Sequence, residues 1–243
     1  MLNDELLEDF MRRFYGYGTF HAPIWFVGME EGGGTNLEEI SQRLAAWDTL
    51  GRNTLADVVA FHGLCEIERF WNKPVMLQPT WASLIRVLLG SKGLSPTTED
   101  VKSFQRQTLG RSSSGTCLLE LMPLPSPNTA TWNYSSFSSL PNLQSRKNYL
   151  DYYSPLRIQR LRALAAEYQP SAIVFYGLGY LPHWERVAGT ALRLSELDDV
   201  YIGHQGSSTF VAMKHPAARS VTNSYFQSIG QLIGNRESDH NPN

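Results

Sequence analysis

Apolar residues follow two patterns along this chain: short continuous runs, and longer stretches in which they recur at helical spacing. Continuous apolar runs that are closed by turn residues are typical of strands buried on both faces in a parallel sheet. Four such runs lie at 23–27, 117–122, 172–177 and 209–213. Helical spacing predicts helices over 3–14, 37–50, 79–89, 155–168 and 223–233, with a further helical pattern at 55–61.

The order of these elements predicts the architecture. Strands that alternate with helices indicate a three-layer α/β/α domain around a central, mostly parallel sheet of four strands. We expect one domain over residues 1–236 and a disordered polar tail over 237–243. Because ligands bind beyond the carboxyl ends of the strands in such sheets, we expect functional residues in the loops at 28–34, 123–128, 176–179 and 215–219.

The composition indicates the class of protein and its expected location. The chain has 243 residues, of which 42% are hydrophobic and 18% are charged, as in a globular domain with one core. No apolar run reaches the roughly 18 to 20 residues that span a bilayer, and the N-terminus carries acids where a secretory signal carries bases. We therefore expect a soluble, cytoplasmic, monomeric protein. Cys65 and Cys117 form no CxxC pattern, which predicts buried thiols and neither a metal site nor a cofactor.

The charge of the chain leaves a nucleic-acid partner open. The formal net charge is -2, whereas non-specific DNA binders usually carry a basic excess that neutralises phosphates. A DNA contact would therefore depend on a local patch or on oriented backbone N–H groups. For most of its residues the most basic stretch is better explained as a solvated helix face. It contains Arg146, Lys147, Arg157, Arg160, Arg162, His183 and Arg186.

The loop after the first apolar run combines two acids with three glycines. Glu30 and Glu31 are followed by Gly32, Gly33 and Gly34. Glycines let backbone N–H groups approach a ligand closely, but the loop contains neither a P-loop nor a dinucleotide-binding motif. Adjacent carboxylates suit the activation of water or the stabilisation of a developing cation better than they suit a bound phosphate. The alternative is a flexible glycine turn with two solvated acids.

A histidine follows the last apolar run. His215 precedes Pro216, which restricts the backbone and so holds the histidine in a definite direction. A histidine at the end of a strand can donate a hydrogen bond to a group that gains negative charge. The alternative is that this His-Pro pair only forms a turn.

Taken together, these loops resemble the uracil-DNA glycosylase superfamily. Segment 24–32 is similar to the early strand of that family, which ends in a G-x-[D/N/A]-P-G loop, and segment 211–219 is similar to its late strand, which ends in H-P-S-P before a C-terminal helix. Segments 119–128 and 173–179 are weaker matches in the expected order, so the resemblance spans residues 23–233. The chain departs from the pattern at Glu30, where the family has Asp or Asn, at Glu31, where it has Pro, and at Ala217 and Ala218, which replace Ser-Pro.

The resemblance implies a DNA glycosylase, which hydrolyses the N-glycosidic bond of a base flipped out of single- or double-stranded DNA. Glu30, with Glu31 as the rival, would stabilise the sugar cation and orient water, and His215 would donate to the departing base. The implied contacts to the base come from Met29, Gly32, Met122, Pro123 and Tyr176. The implied contacts to DNA come from Gly33, Gly34, Ser126, Asn128, Pro216 and Arg219. For Tyr176 a second interpretation stays open, as a residue that caps the core.

The altered first motif favours a damaged or modified base over plain uracil. A bulky modified pyrimidine, as found in phage DNA, would suit a pocket opened by glycines and a role in antiviral defence. Two alternatives stay open. One is a non-catalytic nucleic-acid-binding module of the same fold. The other is a hydrolase of free nucleosides or nucleotides, which the modest net charge suits better than it suits a protein that binds duplex DNA.

Overall fold

The computed structural model describes the backbone of residues 1–239 and the side chains of residues 1–235. Within this part of the chain one sheet of eight strands forms, in the order β3-β1-β4-β2-β5-β8-β7-β6. The strands are β1 (Gly16–Gly18), β2 (Ile24–Gly28), β3 (Leu55–Ala56), β4 (Cys117–Glu120), β5 (Ala172–Tyr176), β6 (Arg193–Leu194), β7 (Tyr201–Gln205) and β8 (Ser208–Met213).

The four strands that the apolar runs predict lie side by side at the centre of the sheet. β2 pairs in parallel with β4 on one side and with β5 on the other, and β5 pairs in parallel with β8. The chain therefore leaves β2 first towards β4 and later towards β5, and the strand order reverses at β2. An open α/β sheet binds ligands at such a reversal.

The sheet is larger than predicted and it is mixed. β1 is antiparallel to β4 and carries β3 as a parallel edge strand, whereas β7 and β6 extend the other side in antiparallel pairs. The prediction of four strands was wrong because β1, β3 and β6 have only two or three residues each, too few to form an apolar run. β7 ends in Gly203, His204 and Gln205 and so forms no apolar run, and it joins β8 through a tight turn at Gly206, where φ is +59°.

The helices connect these strands and pack in two sets. α4 packs against α9 and α5, while α1 packs against α2 and α7, and α7 packs against α8. The α-helices are α1 (Asp4–Arg13), α2 (Leu37–Thr49), α3 (Val58–Leu64), α4 (Pro79–Ser91), α5 (Thr98–Gln107), α6 (Tyr134–Phe137), α7 (Arg146–Tyr168), α8 (Leu181–Ala188) and α9 (Asn223–Asp239).

Capping residues explain where the helices depart from the prediction. Asn36 caps α2 as expected, since its side chain accepts the N–H of Glu39 at 2.9 Å. α3 starts after residue 55 because Asp57 caps it. α7 starts at Arg146 rather than at residue 155, since Ser145 caps it and the helix continues through Pro155. α9 continues to Asp239, and residues 240–243 of the expected disordered tail lie outside the described residues.

The structure also bears on the two cysteines and on membrane-spanning helices. Cys65 and Cys117 are both buried and form no disulfide, which confirms the predicted buried thiols. Within residues 1–239 no helix combines the length and the apolar character needed to cross a membrane.

Candidate functional site

A cavity of about 320 Å³ lies beyond the carboxyl ends of the four central strands. Each of these strands contributes to its lining. Glu30 and Glu31 follow β2, Glu120 ends β4, Tyr176 ends β5, and His215 follows β8. The cavity therefore occupies the place that the parallel topology predicts for a ligand.

The remaining lining comes mainly from helices and the connections between them, with one residue each from β1 and β4. α2, α3, α4 and the connection between α3 and α4 all contribute, so the cavity is bounded by elements far apart in the sequence. These further residues are Tyr17, Gly32, Arg43, His62, Ile67, Arg69, Phe70, Gln78, Thr80, Trp81, Leu84 and Leu118.

Glu120 and Tyr176 form a hydrogen-bonded pair over Gly28. The Tyr176 hydroxyl donates to Glu120 Oε1 at 2.7 Å. A Cβ atom at Gly28 would lie 2.3 Å from both Glu120 Oε2 and the Tyr176 oxygen, so only glycine leaves room for the pair. Burial raises the pKa of Glu120 well above its usual value, and the charge of Glu31 raises it further. Burial therefore favours the uncharged form of Glu120.

Glu31 is held by a buried arginine of α2. Arg43 Nη1 lies 2.6 Å from Glu31 Oε2, and the Arg43 residue is 8% exposed. On the other side of Arg43, Glu39 accepts the backbone N–H groups of Gly34 and Thr35, each at 2.9 Å. Side chains of α2 therefore contact the glycine loop, and Glu31 is paired with a buried arginine where the alternative interpretation expected a solvated acid.

Glu30 has an arginine of its own. The guanidinium of Arg146, the first residue of α7, donates to Glu30 Oε1 and also to Ser126 Oγ at 3.2 Å. The side chains of Glu30 and Arg146 are 10% and 15% exposed. Burial raises the pKa of Glu30, and the ion pair with Arg146 opposes this only in part. Arg146 therefore belongs to the site, not to a solvated helix face.

His215 is positioned by the backbone that follows it. Its Nδ1 accepts the N–H of Ala217 at 3.1 Å, so the proton of a neutral ring lies on Nε2. Although the His215 residue is exposed, desolvation by the surrounding protein lowers the pKa of His215 and favours this neutral ring. The His215 ring lies 5.7 Å from the ring of Tyr176. The histidine can thus offer an Nε2–H donor without carrying a charge.

Aromatic rings form the part of the lining that comes from α3, α4 and their connection. The ring of His62 is nearly parallel to that of Trp81, with 5.6 Å between centroids and 23° between planes. Phe70 meets Trp81 edge-on at 5.5 Å, and Trp71 lies behind them at 5.4 Å from Trp81. Burial lowers the pKa of His62 to about 4, which keeps its ring neutral near pH 7.

Buried polar atoms without a hydrogen-bond partner are concentrated at this cavity. Among the described side chains there are eight such atoms, and five of them belong to residues that line the cavity. Native proteins leave few buried polar groups unsatisfied, so a cluster of them marks a place where a ligand can supply the missing partners. The five atoms are Tyr17 Oη, Glu30 Oε2, Arg43 Nε, His62 Nδ1 and Glu120 Oε2.

The structure brings some of the predicted site residues together and places others elsewhere. Glu30, Glu31, Gly32, Tyr176 and His215 line the cavity. Nine further residues for which the resemblance implies base or DNA contacts are not part of the lining, and those contacts stay predictions. They are Met29, Gly33, Gly34, Met122, Pro123, Ser126, Asn128, Pro216 and Arg219.

The positions of several of these nine residues have a structural explanation. Met29 and Met122 are core residues, 6% and 0% exposed. Ser126 donates to the carbonyl of Asn128 at 2.7 Å, and Asn128 accepts the N–H groups of two later residues, so both stabilise their own loop. Arg219 is exposed.

Sequence reasoning assigned no site role to Arg43, His62 or Glu120. Two of them leave a signal. Glu120 is the single acid in the apolar run 117–122, and Arg43 falls on the buried stripe of α2 that contains Ile40, Leu44 and Trp47. A charged residue at a buried position requires a partner. For His62 the only signal is its place beside Phe61 in a short helix.

The fold is that of an α/β protein with a mixed sheet, and a cavity of small-molecule size lies at the carboxyl edge of its central strands. No protein-family model and no curated protein matches the chain. Among the described residues no group of three or more His, Cys, Asp or Glu side chains is arranged to hold a metal ion.

Proposed function

We propose that this chain is an N-glycosyl hydrolase of the uracil-DNA glycosylase type, acting on a damaged or modified base that is flipped out of DNA. The observation that carries the proposal is the cavity itself, which joins the Glu30 and Glu31 carboxylates to a neutral His215 at one edge of the sheet. A three-layer arrangement of the helices around this sheet and a modified pyrimidine of phage DNA as the substrate are part of the same proposal.

The size of the cavity supports a flipped nucleotide. About 320 Å³ is near the lower end of the roughly 300 to 1,000 Å³ of small-molecule sites. Such a volume admits one base with its sugar and excludes a stacked duplex. Because the reacting atoms of a base pair are out of reach inside the helix, the nucleotide has to leave the stack before reaction.

Cleavage of the glycosidic bond separates charge, and the two ends of the site match the two charges. Positive charge develops on the sugar, where a carboxylate stabilises it and takes a proton from the attacking water. Glu30 suits this role because Glu30 Oε2 has no hydrogen-bond partner and burial raises the pKa of Glu30, which makes it a better proton acceptor than a glutamate in water. The water oxygen bonds to the sugar carbon as the bond to the base nitrogen breaks.

The departing base takes the bonding electrons and gains negative charge. His215 Nε2–H can donate to it, in the manner of an oxyanion-hole donor. The uncharged Glu120 can offer a further hydrogen bond to the base, and Tyr176 holds Glu120 in place. Since the Tyr176 hydroxyl is bound to Glu120 and the residue is 7% exposed, this proposal uses Tyr176 to position Glu120 and not to stack on a base.

An abasic-site assay on a panel of DNAs tests the proposal. The panel contains uracil, hypoxanthine, oxidised bases and phage DNA with modified cytosines. We expect alkali-labile breaks in one substrate, a loss of kcat of about 10²- to 10³-fold in His215→Ala, and a loss of about 10²- to 10⁴-fold in Glu30→Gln. Glu31→Gln tests the rival acid, and Glu38→Gln is the matched control, because Glu38 is exposed.

The absence of cleavage in every DNA of the panel would contradict the proposal, as would full activity in His215→Ala.

One observation favours a second candidate, a hydrolase of free nucleosides or nucleotides. Of the two arginines that line the cavity, Arg43 is engaged by Glu31, and Arg146 beside the cavity is engaged by Glu30. This leaves the exposed Arg69 as the lining arginine for a phosphate, which suits a mononucleotide better than a DNA backbone with many phosphates. Release of a base from a mononucleoside, but not from DNA, would select this candidate. DNA binding that survives loss of Glu30 and His215, with no abasic product, would indicate a non-catalytic module.

A further inference from the structure

The aromatic side of the cavity consists of His62, Phe70 and Trp81, and we call it the aromatic wall. Its three rings lie within contact of one another, at 5.6 Å for His62 and Trp81 and at 5.5 Å for Phe70 and Trp81. All three residues line the cavity. The wall comes from α3, α4 and the segment 65–78 between them, a region in which no site residue was predicted from the sequence.

The wall is polar at one point. His62 is 5% exposed, and its Nδ1 is a buried atom without a hydrogen-bond partner. A ring that served only to fill the core would be expected to have its nitrogen satisfied by the protein. A planar ligand that stacks on Trp81 or Phe70 would lie beside the His62 ring, so an aromatic face and a polar ring are available on one side of the cavity.

A buried glutamine of α5 fixes the segment that carries Phe70. Gln105 is 0% exposed, and its side chain makes three hydrogen bonds to the backbone of this segment. Its Nε2 donates to the carbonyls of Phe70 and Met76, both at 3.0 Å. Its Oε1 accepts the N–H of Gln78, also at 3.0 Å. Gln105 does not line the cavity, so it can act on a ligand only through the wall.

We propose that the aromatic wall is the surface on which the planar ring of the substrate stacks, and that Gln105 is the residue that positions it. The ring class is a heteroaromatic base, and this identification rests on the proposed function. The stacking itself does not depend on cleavage. Alanine substitution of rings that stack on nucleic-acid bases weakens binding by roughly 10- to 100-fold, and we expect a similar effect here.

Binding of free bases tests the wall without any glycosidic bond to cleave. The probes are uracil, cytosine, adenine and hypoxanthine, titrated into the full chain and followed by calorimetry. At least one base should bind to the wild-type chain, and Trp81→Leu should bind that base roughly 10- to 100-fold more weakly. The variant Tyr152→Leu removes an exposed aromatic ring outside the cavity and should bind as the wild type does.

Gln105→Leu separates positioning from stability. If Gln105 only stabilised the fold, the folded molecules would still bind the base as the wild type does. We expect weaker base binding together with a changed near-ultraviolet circular dichroism of the neighbouring tryptophans Trp71 and Trp81. The matched control is Gln227→Leu, because the side chain of Gln227 also bonds a loop but outside the cavity, at Leu94 and Ser95.

The outcomes keep the two proposals apart. Unchanged base affinity in Trp81→Leu, or no binding of any of the four bases, would overturn the aromatic wall. Base binding that depends on Trp81, combined with silence in the abasic-site assay, would keep the wall and reject the glycosylase. If the protein cleaves DNA but its affinity for free bases is the same in Trp81→Leu as in the wild type, the glycosylase is kept and the aromatic wall is rejected.

Discussion

Two buried arginines of this protein differ in how their guanidinium groups are paired. Arg157 on α7 is 1% exposed, and its donors are satisfied by backbone carbonyls. Arg43 on α2 is 8% exposed and pairs with the carboxylate of Glu31. Its Nε lies 3.6 Å from Glu39 Oε1, close enough for an ion pair, but makes no hydrogen bond. The carbonyls around Arg157 are those of Met11, Phe14, Glu120 and Leu121.

The difference between the two arginines lies in how completely the protein satisfies them. The Arg157 guanidinium joins the end of α1, the chain before β1 and the end of β4, and it lies 3.7 Å from the centre of the Tyr15 ring. It therefore serves the fold. Arg43 stands among other unsatisfied atoms that line one cavity, a less stable arrangement that is retained where a ligand binds. Burial of a charge alone does not point to a functional site, whereas incomplete satisfaction next to a cavity supports the proposal of one.

Removal of Arg157 tests the structural side of this comparison and has the largest expected effect. Arg157→Met leaves four buried carbonyl groups without their donor and should lower the free energy of unfolding by about 3 to 5 kcal/mol. Urea denaturation measures the change. The control is Arg160→Met on the exposed face of the same helix, for which we expect a change within about 0.5 kcal/mol. A loss in Arg157→Met no larger than that of the control would break the comparison.

The pH dependence of stability tests the cavity side. His62 has a pKa of about 4 in the folded chain, mainly through burial, and an ordinary value near 6.5 when unfolded. Between these values the unfolded state binds a proton that the folded state rejects, so stability falls as the pH drops from 6.5 towards 4. The charges of Glu31, Arg43 and Arg69 also act on His62.

The shift of His62 corresponds to about 3 kcal/mol of stability over this range. Urea denaturation of the wild type and of His62→Phe at pH 7 and pH 4 isolates the contribution, because the other titrating groups are shared. We expect the wild type to lose about 3 kcal/mol more than the variant does. Equal losses in the two proteins would mean that His62 is hydrated and protonated as freely as a surface histidine.

The central strands could be predicted from the sequence because strands covered on both faces are apolar at nearly every position. Phe26, Val174 and Val211 are each 0% exposed. β3 and β6 could not be predicted, because two paired residues carry no periodicity. The start of α7 was missed because Pro155 is a typical first residue of a helix, whereas here it lies within one.

The strand-end half of the cavity lining was also within reach of the sequence. Glu30, Glu31 and His215 follow apolar runs, and parallel topology brings such positions to one edge. The helical half was not, since a helical pattern shows which side chains are buried but not what they are buried against. Arg43 and His62 could be seen to lie on helices, yet nothing in the sequence placed those helices over the strand ends.

Glu120→Gln has the smallest expected effect. Unlike the substitutions above, it is expected to raise the free energy of unfolding. Because the folded pKa of Glu120 lies well above the unfolded value, the unfolded state loses its proton first as the pH rises, and stability is lost at higher pH. Gln keeps the shape and cannot ionise, so Glu120→Gln should be more stable than the wild type at pH 8, and this gain should shrink towards pH 4. Urea denaturation at both pH values measures it, with the exposed Glu38→Gln as the unchanged control.

A gain in stability at pH 8 would show that the acid at this position lowers the stability of the fold, as expected for a residue that is retained because it binds a ligand. A loss at pH 8 would instead mean that Glu120 is a structural acid, held in its charged form by a donor such as the Tyr176 hydroxyl. In that case Glu120 would belong with Arg157 and not with Arg43. The unsatisfied atoms at the cavity would then be four, and the contrast between the two buried arginines would rest on Tyr17, Glu30, His62 and Arg43 itself.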